Sequence, residues 1–129
     1  MRVAVFVGTR PEVIKLAPVV IELKKRGHEV KLVAVEQHTS LLDKALSDFD
    51  LIADIKVPVV RKGSSLTELM SITSISLNKQ LNFKDFDYAV VQGDTMTTFL
   101  TGFMSYLEGL KVIHVEAGLR THNLNHPFP

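Results

Sequence analysis

The sequence predicts a doubly wound α/β fold, a Rossmann-like parallel sheet of about five strands with helices on both faces. Three observations carry that prediction. The chain opens with an unbroken apolar run, Val3 to Val7. A run that does not alternate apolar with polar suits a strand buried on both faces. Short strand-like segments then alternate with longer helix-like ones along the chain, the pattern of repeated βαβ units. Most strand-like segments stop in small or polar residues that can begin a helix, as Gly8-Thr9 and Gly93-Asp94-Thr95 do.

The bulk composition fits one globular domain. The chain has 129 residues, 46% of them apolar and 22% charged, enough for a single core. A net charge of +1 provides no global field for nucleic acid or an anionic membrane, so anion binding must come from a local cluster. The absence of cysteine removes disulfides, thiolate zinc sites and cysteine nucleophiles, and fits a reducing, cytoplasmic compartment. The amino end runs straight into a strand, so no signal peptide is expected. No apolar run approaches the about 20 residues of a membrane helix.

In order, Gly8 ends the first strand, and Thr9 with Glu12 reads as a capping box, Pro11 fitting the first helical turn. Val13, Leu16, Ala17, Val20, Ile21 and Leu23 recur at helical spacing, and Lys24, Lys25 and Arg26 load the last turn before Gly27, as the helix dipole favours. Pro18 interrupts this pattern and predicts a kink or a restart. Glu29 to Val35 is a second strand. Leu41, Leu42, Ala45 and Leu46 mark a short helix that Thr39 or Ser40 can cap. Leu51 to Val57 is a weaker third strand, with Pro58 at its end.

Arg61-Lys62-Gly63-Ser64-Ser65 lacks the glycine spacing of a P-loop and reads as a surface turn. Ser65 and Glu68 form a second capping box, opening a helix with Leu66, Leu69, Met70, Leu77 and Leu81. Tyr88 to Val91 is a fourth strand, and Asp94 or Thr95 caps the helix after it. That helix has the cleanest apolar stripe in the chain: Met96, Phe99, Leu100, Phe103, Met104 and Leu107. Lys111 to Val115 is a fifth strand with no helix after it, and His122 to Pro129 reads as a loop. No internal repeat or linker divides the chain.

Polar residues gather at the carboxyl ends of these strands, where open α/β sheets bind ligands. With the first strand central and the fourth beside it, Arg10, Lys15, Asp94 and Glu116 would share one mixed-charge cleft. Cations beside free helix N–H groups can hold a phosphate, and carboxylates can move protons. Each residue also has a plain structural role open to it. Arg10 and Lys15 can be solvated cations, Asp94 a helix cap, and Glu116 a salt-bridge partner of Arg120. A nicotinamide cofactor is not expected, because the spaced glycines of the dinucleotide fingerprint are missing. His122 and His126 sit in a loop with no third ligand at a recognised spacing, so no metal is expected. His114 lies between apolar neighbours and reads as a packed or hydrogen-bonded core histidine. No Gly-x-Ser-x-Gly elbow occurs.

Four stretches together resemble a known family. They are Gly8-Thr9-Arg10-Pro11-Glu12-Val13-Ile14-Lys15 with Ala17 to Val20 following; Gln37-His38; Gly93-Asp94-Thr95; and His114 to Thr121 with Pro127-Phe128-Pro129. In order and spacing they look like the non-hydrolysing UDP-N-acetylglucosamine 2-epimerases, across the whole chain. The resemblance implies one Rossmann-like half, residues 1–129, of a two-domain glycosyltransferase-B arrangement. The second domain, with most uridine diphosphate contacts and a further catalytic histidine, is expected to lie outside this chain or on a partner chain. It implies interconversion of UDP-N-acetylglucosamine and UDP-N-acetylmannosamine, a step toward cell-envelope polysaccharide precursors, without cofactor or metal. It also implies that Arg10 and Lys15 stabilise the departing diphosphate, that Asp94 and Glu116 move protons, and that Gln37 and His38 lie near bound nucleotide sugar. Glu36 departs from the family pattern, which has Gly before that glutamine. The family also continues beyond Pro-Phe-Pro into a further catalytic carboxylate. The competing expectations are a hydrolysing epimerase or glycosyltransferase half, and a non-catalytic module that docks on another chain. The uncovered fifth strand predicts self-association, as a dimer.

Overall fold

The computed structural model describes residues 1–36, 39–59 and 65–126. The expected surface turn over residues 61–64 and the Pro-Phe-Pro stretch lie outside them. Among the described residues, five parallel strands form one sheet: β1 (Arg2–Val7), β2 (Glu29–Glu36), β3 (Ile55–Pro58), β4 (Tyr88–Gln92) and β5 (Lys111–Val115), in the order β3-β2-β1-β4-β5. Four α-helices connect them: α1 (Arg10–Lys25), α2 (Thr39–Ser47), α3 (Leu66–Gln80) and α4 (Met96–Leu107), with a 3₁₀ turn at Phe83–Asp85 before β4. The winding reverses between β1 and β4.

Strand β1 is buried from Val3 to Val7, as its unbroken apolar run requires. Its alternation still matters, because each residue type feeds a different layer. Val3, Val5 and Val7 meet Val13, Leu16 and Val20 of α1 and Leu42 and Leu46 of α2. Ala4 and Phe6 face the other side, with Leu69 and Leu77 of α3 and Leu100 of α4. Phe6 also stacks on Phe83, centroids 6.5 Å apart. Each fully buried Val, Leu or Phe contributes about 1.5–3 kcal/mol, so the paired layers account for most of the drive to this topology.

Helix α1 is continuous through Pro18, so of the expected kink or restart the restart does not occur. Pro18 is exposed, so water can satisfy the carbonyl that loses its amide partner. Gly27, at φ 78°, follows the helix end and donates its N–H to the Lys24 carbonyl at 3.0 Å, a position where glycine costs least.

Strand β3 is shorter than expected and begins at Ile55 rather than Leu51. Asp54 explains the difference. Its carboxylate accepts the Leu32 N–H at 2.8 Å and its own N–H donates to the Leu32 carbonyl at 2.9 Å. Ladder pairing therefore starts one residue later, at Val33 with Ile55. Ser65 and Glu68 form the expected capping box on α3.

The stripe on α4 divides. Leu100 is buried, and Met96 and Met104 pack on the core. Phe99, Phe103 and Leu107 are instead exposed, and the two phenylalanine rings stack at 5.9 Å, 3° from parallel. Thr98, Thr101 and Ser105 occupy the buried side. The helix thus has two apolar faces, only one of which meets the sheet among the described residues. Strand β5 is an edge strand, exposed from Lys111 to His114. No described helix is long and apolar enough to cross a membrane.

Candidate active site

The carboxyl ends of β1, β4 and β5 lie side by side, and each delivers a short loop to the same end of the sheet. The β1 loop is tight. A β-carbon on Gly8 would collide with Thr97 Oγ1 and come within 2.9 Å of the Val35 carbonyl oxygen. Only glycine lets the chain turn between the end of β2 and the first turn of α4.

Glu12 closes this loop. It is 1% exposed, and its Oε2 accepts the N–H groups of Gly8 at 2.6 Å and Thr9 at 2.9 Å. Its Oε1 accepts the hydroxyl of Thr95 at 2.5 Å. Thr95, not Asp94, caps α4, its Oγ1 accepting the Thr98 N–H at 3.2 Å. Asp94 is exposed and makes no hydrogen bond or ion pair with the described residues. It is therefore free of the capping role its sequence position allowed.

At the end of β4, Gly93 takes φ 74° and donates its N–H to the Val115 carbonyl at 3.0 Å, while its own carbonyl meets His114 Nε2 at 2.6 Å. His114 is hydrogen-bonded as one reading of its neighbours allowed, but it is exposed and not a core residue. It sits on an edge strand with an open face.

Glu116 follows β5 in the left-handed region at φ 57°, a conformation that costs a non-glycine residue about 1–2 kcal/mol. Two side chains hold it there. Lys15 Nζ lies 3.1 Å from its Oε2, and Gln92 Nε2 donates to the same oxygen at 2.5 Å. The hydrogen bond from Lys15, then its charge, then the Gln92 amide, hold the Glu116 carboxyl below its ordinary pKa. Arg120 instead donates to the Leu119 carbonyl at 2.8 Å, so the Glu116–Arg120 pair that sequence allowed is replaced by Glu116–Lys15.

The predicted residues thus fall in two adjoining clefts. Asp94, His114, Glu116 and Arg120 line one of about 660 Å³, floored by Val91 and Phe99. Arg10 lines the other, of about 610 Å³, with Thr9, Lys44 and Asp48. Thr95 borders both, and Lys15 reaches Glu116 from α1. Arg10 is therefore next to the carboxylate cleft and not in it. Gln37 and His38 lie outside the described residues. Sequence reasoning missed Gln92 as a ligand of Glu116 and the link from Glu12 to Thr95. Thr9 and Glu12 gave the only signal for the latter, and it indicated a local cap. No group of three or more metal-ligating side chains gathers among the described residues.

A mixed-charge cleft of this kind can exchange protons through two unlike carboxylates, one partnered and one not, beside cations suited to a phosphate. Comparison with known proteins bears on which chemistry that is. A family model described as UDP-N-acetylglucosamine 2-epimerase matches residues 21–129. The UDP-N-acetylglucosamine 2-epimerase of Neisseria meningitidis is 39% identical over 130 residues, covering 100% of this chain and 35% of the relative. That of Bacillus subtilis is 39% identical, covering 100% and 34%. A crystal structure of the Neisseria meningitidis enzyme bound to UDP-GlcNAc superposes with a TM-score of 0.89 over 100% of this chain and 36% of that one. The Methanocaldococcus jannaschii enzyme in complex with UDP-GlcNAc and UDP is 30% identical, with a TM-score of 0.82 over 97% of this chain and 35% of that one. The chain thus spans about a third of the length of these relatives.

Proposed function

Since the chain belongs to the UDP-N-acetylglucosamine 2-epimerase family, we propose that it forms one wall of a cleft that interconverts UDP-N-acetylglucosamine and UDP-N-acetylmannosamine. The observation that carries this reading is the Lys15–Glu116 pair with Asp94 in the same cleft, beside the point where the sheet winding reverses. In the proposed reaction a carboxylate takes the proton from sugar C2. The electron pair of that bond forms the C1–C2 double bond as the C1–oxygen bond breaks, and UDP leaves with the pair from the bond to C1. The product is a bound 2-acetamidoglucal. Reversal returns UDP oxygen to C1 and a proton to C2 from the opposite face, inverting that centre.

Asp94 and Glu116 are the proposed proton carriers, and opposite faces of C2 need two of them. Arg10 and Lys15 are proposed to stabilise charge on the departing diphosphate. Gln37 and His38 are proposed to approach the nucleotide sugar. A proton and a carbon–oxygen bond change hands with no electron carrier, so the reaction asks for no redox cofactor. The nucleotide substrate and cysteine-free composition support a cytoplasmic setting.

The uncovered face of α4, with Phe99, Phe103 and Tyr106 exposed, and the open edge of β5 support a covering polypeptide in the whole protein. We assign the α4 face to a second Rossmann-like domain, and propose a dimer through the open edge of β5.

The test is hydrogen exchange. The whole protein carrying this chain, and residues 1–129 alone, are incubated with UDP-N-acetylglucosamine in deuterated water. Deuterium at C2 of both sugars without net UDP supports the epimerase. Net UDP points to a hydrolysing enzyme. Neither signal from the whole protein refutes the catalytic reading and favours a docking module.

A further inference from the structure

We propose that Glu12 is a positioning residue, which fixes the loop bearing Asp94 against the helix bearing Arg10 and Lys15; the inference rests on the epimerase reading above. The chain contains its own comparison. Glu12 and Glu68 occupy the same place in two capping boxes, three residues after Thr9 and Ser65. Glu68 is exposed, and one of its oxygens accepts the Ser65 N–H at 2.9 Å. That suffices for a cap. Glu12 performs the same local task with Oε2 alone, yet its carboxyl is 1% exposed. Burying a carboxyl is unfavourable unless its oxygens find donors. Its second oxygen finds one on the β4 loop, in the hydroxyl of Thr95 at 2.5 Å.

Those contacts belong to a closed circuit. Thr95 Oγ1 in turn accepts the Thr98 N–H at 3.2 Å, and Thr98 Oγ1 donates to the Gln92 carbonyl at 2.5 Å. The Gln92 side chain donates to Glu116, and Glu116 pairs with Lys15, one turn beyond Glu12 on α1. The loops after β1, β4 and β5 are thereby tied to one helix at two points. Asp94 has no partner of its own among the described residues, so its neighbour Thr95 is what sets its place. Glu12 holds Thr95.

Loss of the link should damage the chemistry more than binding. Arg10 and Lys15 stay on α1 and still meet the diphosphate, while Asp94 drifts from C2. A displacement on the order of 1 Å can cost about 100-fold in rate. In the whole protein, Glu12→Ala is expected to lower kcat for C2 exchange about 10- to 100-fold while KM changes less than about 3-fold. Glu12→Gln should restore kcat to within about 5-fold, because its carbonyl oxygen can accept from Gly8 and Thr9 while its amide donates to Thr95. Thr95→Val cuts the link from the other side and should reproduce the loss, whereas Thr95→Ser keeps the hydroxyl and should not. Circular dichroism and melting give the folded fraction, and if Glu12→Ala does not fold, the Thr95 pair decides. An active parent whose Thr95→Val variant keeps kcat, or loses kcat and KM together, overturns the positioning role and leaves the epimerase reading standing. A parent with no exchange overturns both.

Discussion

Replacing Gly8 with alanine tests how tightly the β1 loop is wedged between its neighbours. The added carbon would overlap Thr97 Oγ1, sit 3.1 Å from Thr97 Cβ, and lie 2.9 Å from the Val35 carbonyl oxygen. The first two contacts are with a side chain at the start of α4. The third is with the backbone of β2, where Val35 stands opposite Val57 in the sheet. Neither can retreat freely, because α4 is held by the Thr95 cap and β2 has strands on both sides. Inserting one carbon into such a site costs about 1–3 kcal/mol. For a domain of this size that lowers the melting midpoint by about 3–5 °C per kcal/mol. Thermal unfolding of the Gly8→Ala chain should therefore drop by roughly 3–15 °C. Adding Thr97→Ala removes the overlapping oxygen but not the Val35 contact, and should recover part of the loss. A Gly8→Ala chain that melts within about 1 °C of the parent would refute the argument that this turn admits only glycine.

Other substitutions address the charges and the open face. Asp94→Asn in the whole protein should abolish C2 exchange while leaving the melting curve unchanged, since Asp94 caps nothing; retained exchange would remove it from the proposed chemistry. Lys15→Met should bring the Glu116 carboxyl back toward its ordinary range, followed by its NMR titration. The sign for stability follows from the depressed folded pKa. The contribution is present above the ordinary glutamate pKa, and is lost as pH falls from there through the lower folded value. The parent should therefore lose stability over that acid interval more steeply than Lys15→Met, and equal acid limbs would mean the pair does not form in solution. Phe103→Ser in residues 1–129 alone should leave the melting midpoint almost unchanged, as exposed substitutions cost within about 0.5 kcal/mol, and in the whole protein should lower it, because the second domain is proposed to cover that face. A parent that sediments as a monomer at high concentration would rule out the proposed dimer.

Most of the fold was legible because its signals are local. The run Val3 to Val7, the Ser65–Glu68 box and the alternation of element types each lie within a few residues. The misreadings share a different cause. Strand β3 starts late because Asp54 bonds to Leu32 on the neighbouring strand, and nothing around Asp54 shows that partner. Pro18 leaves α1 unbroken because it faces water, which the sequence shows only through the apolar positions around it. The α4 stripe is a real periodicity with two faces, and periodicity alone does not say which face meets the sheet.

The same distinction runs through the candidate site. Strand ends marked where polar residues would gather, since that follows from the fold class. Partners did not follow. Glu116 was assigned Arg120, four residues on, as its alternative partner, and instead meets Lys15 across the sheet, because β5 lies beside β4 and Gln92 bridges the gap. Glu12 shows the limit most sharply. A Thr-x-x-Glu spacing fixes what one carboxylate oxygen does, because the cap is three residues away. What the other oxygen does depends on Thr95, brought over by the pairing of β1 with β4. The identical spacing at Ser65 and Glu68 has no such neighbour among the described residues, and its glutamate stays exposed. Two equal motifs therefore differ in role only through strand order. A link between loops therefore requires Glu12→Ala, which leaves the α4 cap in place, and Thr95→Val, which removes that cap with the link, to lower kcat together.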